Sequence, residues 1–211
     1  MMCGRYAISK VVKKTKNIVN INDGVEDSDN YNAYPTQLLP IIKKDDGNLM
    51  MTNYHWGLIP KWSEKMNDFR PLNNARLETL MEKRTFSGLI AKQRCVVPAD
   101  GYYDWRKNDE GKKFPYFIKH EHNEIFFFSA LYQKNTNLEF SVITTEAKDT
   151  ISDIHHRMPV ILREGEIENY LGSKDPITFL NSHKNPELVF YEVGRDVNNP
   201  SNNFIELLNP A

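Results

Sequence analysis

The sequence predicts an α+β fold: a curved, mostly antiparallel β-sheet or open β-barrel core with helices inserted between strands. Three observations carry that expectation. β-prone runs are bunched between Arg94 and Thr145, with turns and no helical pattern between them. The helix-patterned segments lie outside this block at irregular spacing, whereas a parallel doubly wound sheet needs a helix after each strand. No glycine-rich phosphate loop joins a strand to a helix. A chain of 211 residues can bury one large core, so a single domain over 1–211 is expected.

Taken in order, Ser9–Asn20 is loosely helical, and the acidic, Asn-rich Asp23–Asn32 reads as a loop. Leu38–Ile42 and Leu49–Tyr54 flank the turn Lys44-Asp45-Asp46-Gly47-Asn48, a hairpin signature. Gly57 and Pro60 punctuate Trp56–Trp62 into a structured loop. Ala75–Lys83 has good helix formers, with Leu77, Leu80 and Met81 on one face. Strands follow at Arg94–Val97, Gly101–Arg106, Pro115–Lys119, Ile125–Tyr132 and Phe140–Thr145, the second and third separated by the turn Lys107–Gly111. Val160–Leu162 and Leu188–Val193 add two more, with helices at Glu164–Leu171 and Ile177–His183 between them.

Composition excludes several classes. With 40% hydrophobic and 26% charged residues the chain has an ordinary globular balance, and no run reaches the roughly 18 apolar residues of a membrane span. The N-terminus lacks the basic region and apolar stretch of a secretory signal. Cys3 and Cys95 are too few for a disulfide framework or a zinc site of cysteine pairs. The expectation is a reduced, cytoplasmic monomer with no cofactor, no metal and no membrane partner. Of 27 basic and 28 acidic residues, 24 and 20 precede Glu164, a formal +4 that permits a local basic groove for a short nucleic acid.

Five clusters could carry chemistry. Cys3, once the methionines before it are removed, would hold an α-amine (pKa roughly 7.7–8.0) beside a thiol (roughly 8.5). The amine can form a Schiff base with an aldehyde and the thiol can close a five-membered thiazolidine. Alternatively, the thiol attacks an amide carbonyl with the amine as base. Leu72-Asn73-Asn74-Ala75-Arg76-Leu77-Glu78 places an amide and a guanidinium before the expected helix, where Asn74 is equally an ordinary N-cap. In Asp100-Gly101-Tyr102-Tyr103-Asp104-Trp105, strand alternation puts Tyr102, Asp104 and Arg106 on one face and Tyr103 and Trp105 on the other. In Ser152-Asp153-Ile154-His155-His156-Arg157-Met158-Pro159, adjacent histidines point different ways, so one of them is a candidate acid/base. Trp56-Gly57-Leu58-Ile59-Pro60-Lys61-Trp62 suits stacking on unpaired bases, worth about 1–3 kcal/mol per base, or supplies two core tryptophans.

The order of these clusters, together with Tyr31-Asn32-Ala33-Tyr34-Pro35-Thr36 and Val197-Asn198-Asn199, resembles the SRAP (SOS response-associated peptidase) family from residue 2 to about residue 203. The resemblance implies the SRAP fold and a protein that senses and shields abasic sites in single-stranded DNA. Its N-terminal cysteine, freed by removal of the initiator methionine through an autopeptidase activity, forms a covalent thiazolidine crosslink with the ring-opened sugar. By that match Cys3 is the nucleophile, Asn74 holds cysteine and sugar, and His155 acts on the sugar hydroxyls and in proton transfer. Asp104 takes the carboxylate position. Arg5, Arg76 and Arg84 match phosphate contacts, and Trp56 and Trp62 lie in the region lining the DNA channel. Two positions depart from the pattern: Asp104 stands where the family has glutamate, and two methionines precede Cys3 where the family has one. The alternatives are an N-terminal-nucleophile cysteine amidohydrolase, which needs a four-layer sandwich, and a single-strand-binding module in which Cys3 is inert.

Overall fold

The computed structural model describes residues 4–21, 24–63, 65–66, 68–135 and 137–211. The chain begins with β1 (Arg5–Ile8), the short helix α1 (Val11–Thr15), β2 (Asn20–Ile21) and β3 (Asn30–Ala33). A long hairpin, β4 (Leu38–Asp45) and β5 (Asn48–Trp56), leads to β6 (Asn74–Arg76), α2 (Arg84–Lys92) and β7 (Arg94–Ala99). A meander follows: β8 (Gly101–Lys107), β9 (Lys113–His120), β10 (Phe126–Lys134) and β11 (Leu138–Glu146). The last third holds β12 (Arg157–Pro159), β13 (Ile161–Leu162), α3 (Ile167–Gly172), α4 (Pro176–Ser182) and β14 (Leu188–Glu192).

Among the described residues the strands form two sheets. The smaller runs β14-β9-β8-β1-β3, antiparallel throughout. In the larger, β11-β10-β7-β4-β5 closes on itself because β5 also pairs with β11, through Glu139↔His55 and Phe140↔Trp56. That contact is parallel; the ring's other pairings are antiparallel. The sequence expectation of a mostly antiparallel sheet or open barrel therefore matches the architecture, with the ring closed at one seam. It is not the four-layer sandwich that the amidohydrolase alternative requires.

The β-prone runs are nearly continuous in apolar residues because these strands are covered on both faces. Along β10, Phe126, Phe128 and Ala130 enter the core shared with the smaller sheet, and Phe127 and Leu131 enter the core beneath the helices. Along β7, Cys95, Val97 and Ala99 face the first core and Val96 the second. On β8, Tyr102 faces the shared core, while Tyr103 joins Phe117, Val193, Val197 and Leu207 in a third cluster beneath the C-terminal segment. No helix among the described residues is long and apolar enough to cross a membrane.

Two sequence expectations are corrected here. Ala75–Lys83 is not a helix. Its first part is β6, paired in parallel with β11, followed by a 3-10 turn at Leu77–Thr79; the helix is Arg84–Lys92, anchored by buried Phe86 and Ile90. Leu77 and Leu80 are buried as expected, but Met81 is exposed. Asn74 consequently sits in a strand and caps no helix. A β pairing has overridden good local helix propensity. The second correction is β3, which begins inside the segment expected to be loop.

Gly101 marks the closest approach of β8 to β9. A Cβ there would lie 2.7 Å from the Ile118 carbonyl oxygen and still nearer the Phe117 ring. Gly101→Ala is expected to destabilise the protein by about 1–3 kcal/mol, read as a lower urea midpoint at unchanged m-value.

Candidate functional site

Asp104 lies two residues beyond Tyr102 on the same face of β8, where the strand leaves the shared core, and is 2% exposed. Its Oδ1 accepts the Trp105 backbone N–H at 2.9 Å. Its Oδ2 stands 3.8 Å from His155 Nδ1. The two residues come from different sheets: Asp104 from the smaller, and His155 from the turn between a 3-10 helix at Asp149–Asp153 and β12.

The His155 ring is oriented by its neighbour. Its Nδ1 lies 3.1 Å from the Arg157 backbone N, whose N–H can donate to it, and 3.4 Å from the Arg157 carbonyl oxygen, to which a protonated Nδ1 donates, so the Arg157 main chain holds the ring in either tautomer. Burial lowers the His155 pKa below its ordinary 6.5, outweighing the opposing hydrogen bond at the Arg157 backbone, and the Lys113 and Arg157 charges act in the same direction as burial. The neutral imidazole is thus favoured near pH 7. His156 is exposed, its ring 4.3 Å from that of His155.

Arg157 fixes this turn to β11 and to the segment after β6. Its buried guanidinium donates bidentately to Glu78, Nη1 to Oε1 at 3.0 Å and Nη2 to Oε2 at 2.8 Å, and Nη2 also donates to the Thr144 carbonyl at 2.8 Å. Glu78 further accepts from the Thr145 hydroxyl and the Glu146 N–H, both at 3.1 Å. Such a fork-to-fork pair holds direction as well as distance.

Asp104 and His155 open onto a cavity of about 660 Å³ that Gly4, Arg5, Trp105, Lys107, Lys113 and Asn198 also line. Cys3 lies outside the described residues; Gly4, to which it is peptide-bonded, is on the cavity wall. Arg5 reaches the wall but commits much of its fork to protein acceptors, with Nη1 donating to Asn32 Oδ1 at 2.7 Å and to the Val197 carbonyl at 2.8 Å. Asn32 Nδ2 donates to the carbonyls of Val197, Asn199 and Asn202, so two distant segments of the sequence close one corner of the site.

Of the residues singled out from sequence, the structure gathers Arg5, Asp104 and His155 around the cavity. Asn74 and Arg76 share one face of β6 beside β11, the first half-buried and the second exposed. Arg84 is exposed at the start of α2. The two indoles part company. Trp62 is 64% exposed, its ring edge-on to Phe69 at 5.3 Å. Trp56 is 0% exposed, stacked on Phe140 with its Nε1 donating to the Asn73 carbonyl at 2.9 Å, and offers no face to a base. For Trp56 the core alternative is the correct one, because it ends β5 at the ring's seam.

Lys107 and Lys113 were missed by sequence reasoning. They bracket a turn that was recognised, and their meeting at the cavity follows from the β8–β9 register, Lys107↔Lys113. Trp105 and Asn198 stand inside motifs already singled out, and Trp105 Nε1 donates to Asn198 Oδ1 at 2.8 Å. Among the described residues no group of three or more His, Cys, Asp and Glu side chains is placed to hold a metal ion.

The lowered His155 pKa has a defined consequence for stability. Between the folded value and the unfolded 6.5 the unfolded chain binds more protons, so stability falls as pH drops through about 6.5. The His155 ring signals are expected to titrate below 6.5 by NMR, and His155→Ala to lose less stability between neutral and mildly acid pH than the wild type.

Comparison with known proteins gives a consistent picture. The family model for SOS response associated peptidase (SRAP) matches residues 2–200. The chain is 33% identical to abasic site processing protein YoqW of Bacillus subtilis, over 98% of this chain and 99% of that one. It is 27% identical to abasic site processing protein YedK of Escherichia coli over the full length of both. A crystal structure of a protein from Bacteroides thetaiotaomicron, 26% identical, superposes with a TM-score of 0.81 over 99% of this chain and 100% of that one.

Proposed function

The chain belongs to the SOS response associated peptidase family, and from that premise we propose that it senses and shields abasic sites in single-stranded DNA by bonding them covalently to Cys3. The observation that carries the reading is the cavity wall: Gly4, joined to Cys3, faces the same space as a buried carboxylate and a neutral histidine. Two relatives named as abasic site processing proteins, each aligned over nearly the whole chain, support the substrate class.

The chemistry follows from these groups. An abasic deoxyribose is mostly a closed hemiacetal. The neutral imidazole of His155 exchanges the proton that opening to the C1′ aldehyde requires. Asp104 takes a proton from the Cys3 α-ammonium, leaving the amine to attack C1′. The carbinolamine then loses its hydroxyl as water, with Asp104 returning the proton, to give a Schiff base. The Cys3 thiolate adds to the same carbon, a C–S bond forms as the C=N electrons return to nitrogen, and a thiazolidine closes. The sum is aldehyde plus cysteine to thiazolidine plus one water. In the same frame, thiol attack on the preceding carbonyl and hydrolysis of the thioester would release the residues before Cys3 and free its amine, the peptidase step. Arg76, Arg84 and Trp62, all exposed, are assigned to the DNA, and Asn74 to orienting the reacting groups. The protein acts as a monomer in the cytoplasm.

Purified protein with a free Cys3 amine is expected to form a heat-stable adduct with abasic single-stranded DNA, read as a retarded band on a denaturing gel. Cys3→Ala and protein retaining residues before Cys3 should form none; an undiminished adduct in Cys3→Ala would overturn the assignment. Asp104→Asn should slow the reaction by about 10²-fold or more. Asp104→Glu should be tolerated, since the cavity of about 660 Å³ has room for one methylene. A wild-type rate in Asp104→Asn would move the acid/base role away from Asp104.

A further inference from the structure

The strand pair that carries Asp104 ends in an electrostatic conflict. Lys107 and Lys113 face each other directly across the antiparallel β8–β9 pair, and both line the cavity beside Asp104 and His155. Like charges in directly opposed positions destabilise a sheet. Neither lysine's ammonium group forms an ion pair or a hydrogen bond with another described residue. The other charged groups on the cavity wall are Arg5, Asp104 and Asp153. Arg5 is engaged by Asn32 and Val197, and Asp104 is buried beside His155. The rim on the β8–β9 side therefore presents two unneutralised ammonium groups.

A further exposed cation belongs to the other sheet. Arg76 lies on β6, which pairs with one edge of β11, while β12, into which the His155 turn leads, pairs with the other edge. Arg76 is therefore on the larger sheet and the two lysines on the smaller, and Asp104 and His155 meet where the two sheets adjoin. A strand with its lesion at His155 and its flanks extending both ways would pass from one sheet onto the other.

We propose that Lys107 and Lys113 bind the phosphodiester backbone flanking the lesion on the side opposite the flank held by Arg76. The proposal rests on the abasic-site reading above and adds to it a second phosphate-binding surface, for the flank that Arg76 does not hold. Each lysine neutralises one phosphate, and the two ammonium groups stop repelling one another to no effect when an anion sits between them. Lysine suits this role, since its ammonium is a point charge on a flexible stem and follows a backbone that differs from one lesion to the next.

The experiment uses single-stranded oligonucleotides carrying an unreactive tetrahydrofuran abasic analogue at the centre, at the 5′ end or at the 3′ end. Affinity and its salt dependence are measured for the wild type, Lys107→Gln/Lys113→Gln and Arg76→Gln. On the central-site oligonucleotide the double variant should bind more weakly, with a salt slope shallower by about 1.4, the value for two phosphate contacts on a single strand. Its defect should vanish on one end-site oligonucleotide, and that of Arg76→Gln on the other. Lys113→Glu separates binding from folding: it creates an opposite-charge pair with Lys107, so the urea midpoint should hold or rise while DNA affinity falls. Unchanged affinity and slope in the double variant, or an equal defect on all three oligonucleotides, would overturn the proposal. Wild-type crosslinking to reactive abasic DNA is measured alongside; its absence would overturn the functional reading and this proposal with it, whereas its presence with a null lysine effect overturns the proposal alone.

Discussion

Tyr6 and Tyr102 from the smaller sheet meet the aromatic residues of the ring edge-on: Tyr6 against Trp56 at 5.1 Å and Phe128 at 5.6 Å, and Tyr102 against Phe128 at 6.1 Å. All four rings are fully buried. Each such pair is worth about 0.5–1.5 kcal/mol beyond the apolar area it removes from water. Asp104 belongs to one sheet and His155 to a turn of the other, so this packing sets the distance between them. The turn is held by the same core, which Ile151, Ile154 and Met158 enter on either side of His155. A shift of the sheets would separate acid from imidazole before it exposed much surface. The site depends on the core more directly than on any bond within the site.

Placing a carboxylate and a histidine at the edge of such a core has an energetic cost. A nearly buried carboxylate is unfavourable unless it is hydrogen-bonded or paired. Asp104 accepts a backbone N–H and faces His155 at a distance long for an ion pair. Burial lowers the His155 pKa and favours its neutral ring, so the site sets an imidazole and a carboxyl group side by side, each able to take a proton from a reacting group and return it. Arg157 serves this arrangement twice. Its main chain holds the imidazole at Nδ1, and its side chain, clamped by Glu78, ties the turn to the segment that carries Asn74 and Arg76. Glu78 is therefore occupied in holding Arg157 and the end of β11.

Much of the strand framework was legible because residues buried on both faces write long apolar runs, as in Phe126–Tyr132 and Phe140–Thr145. The alternation on β8 was also legible, since a period of two needs no tertiary information. What lay beneath each face was not: Tyr103 and Trp105 pack under the C-terminal segment, a contact with no local signal. Ala75–Lys83 misled because three residues of parallel pairing to β11 outweigh good helix formers. Trp56 and Trp62 are the same residue six positions apart in one motif, and burial alone divides them. Family resemblance named Cys3, Asn74, Asp104 and His155 together, whereas the residue types alone offered an N-cap, a strand face and one of two histidines. Lys107 and Lys113 needed the register of a hairpin whose turn was seen but whose pairing was not counted.

The central claim is that the captured sugar carbon ends bonded to both nitrogen and sulfur of Cys3. Carbon-13 NMR of the adduct formed with abasic DNA labelled at C1′ tests it directly. The account requires an sp³ carbon signal in the region of a carbon flanked by N and S, present with the wild type and absent with Cys3→Ala. An adduct carbon that remains sp², as in a Schiff base, or an sp³ signal that persists in Cys3→Ala, would contradict it.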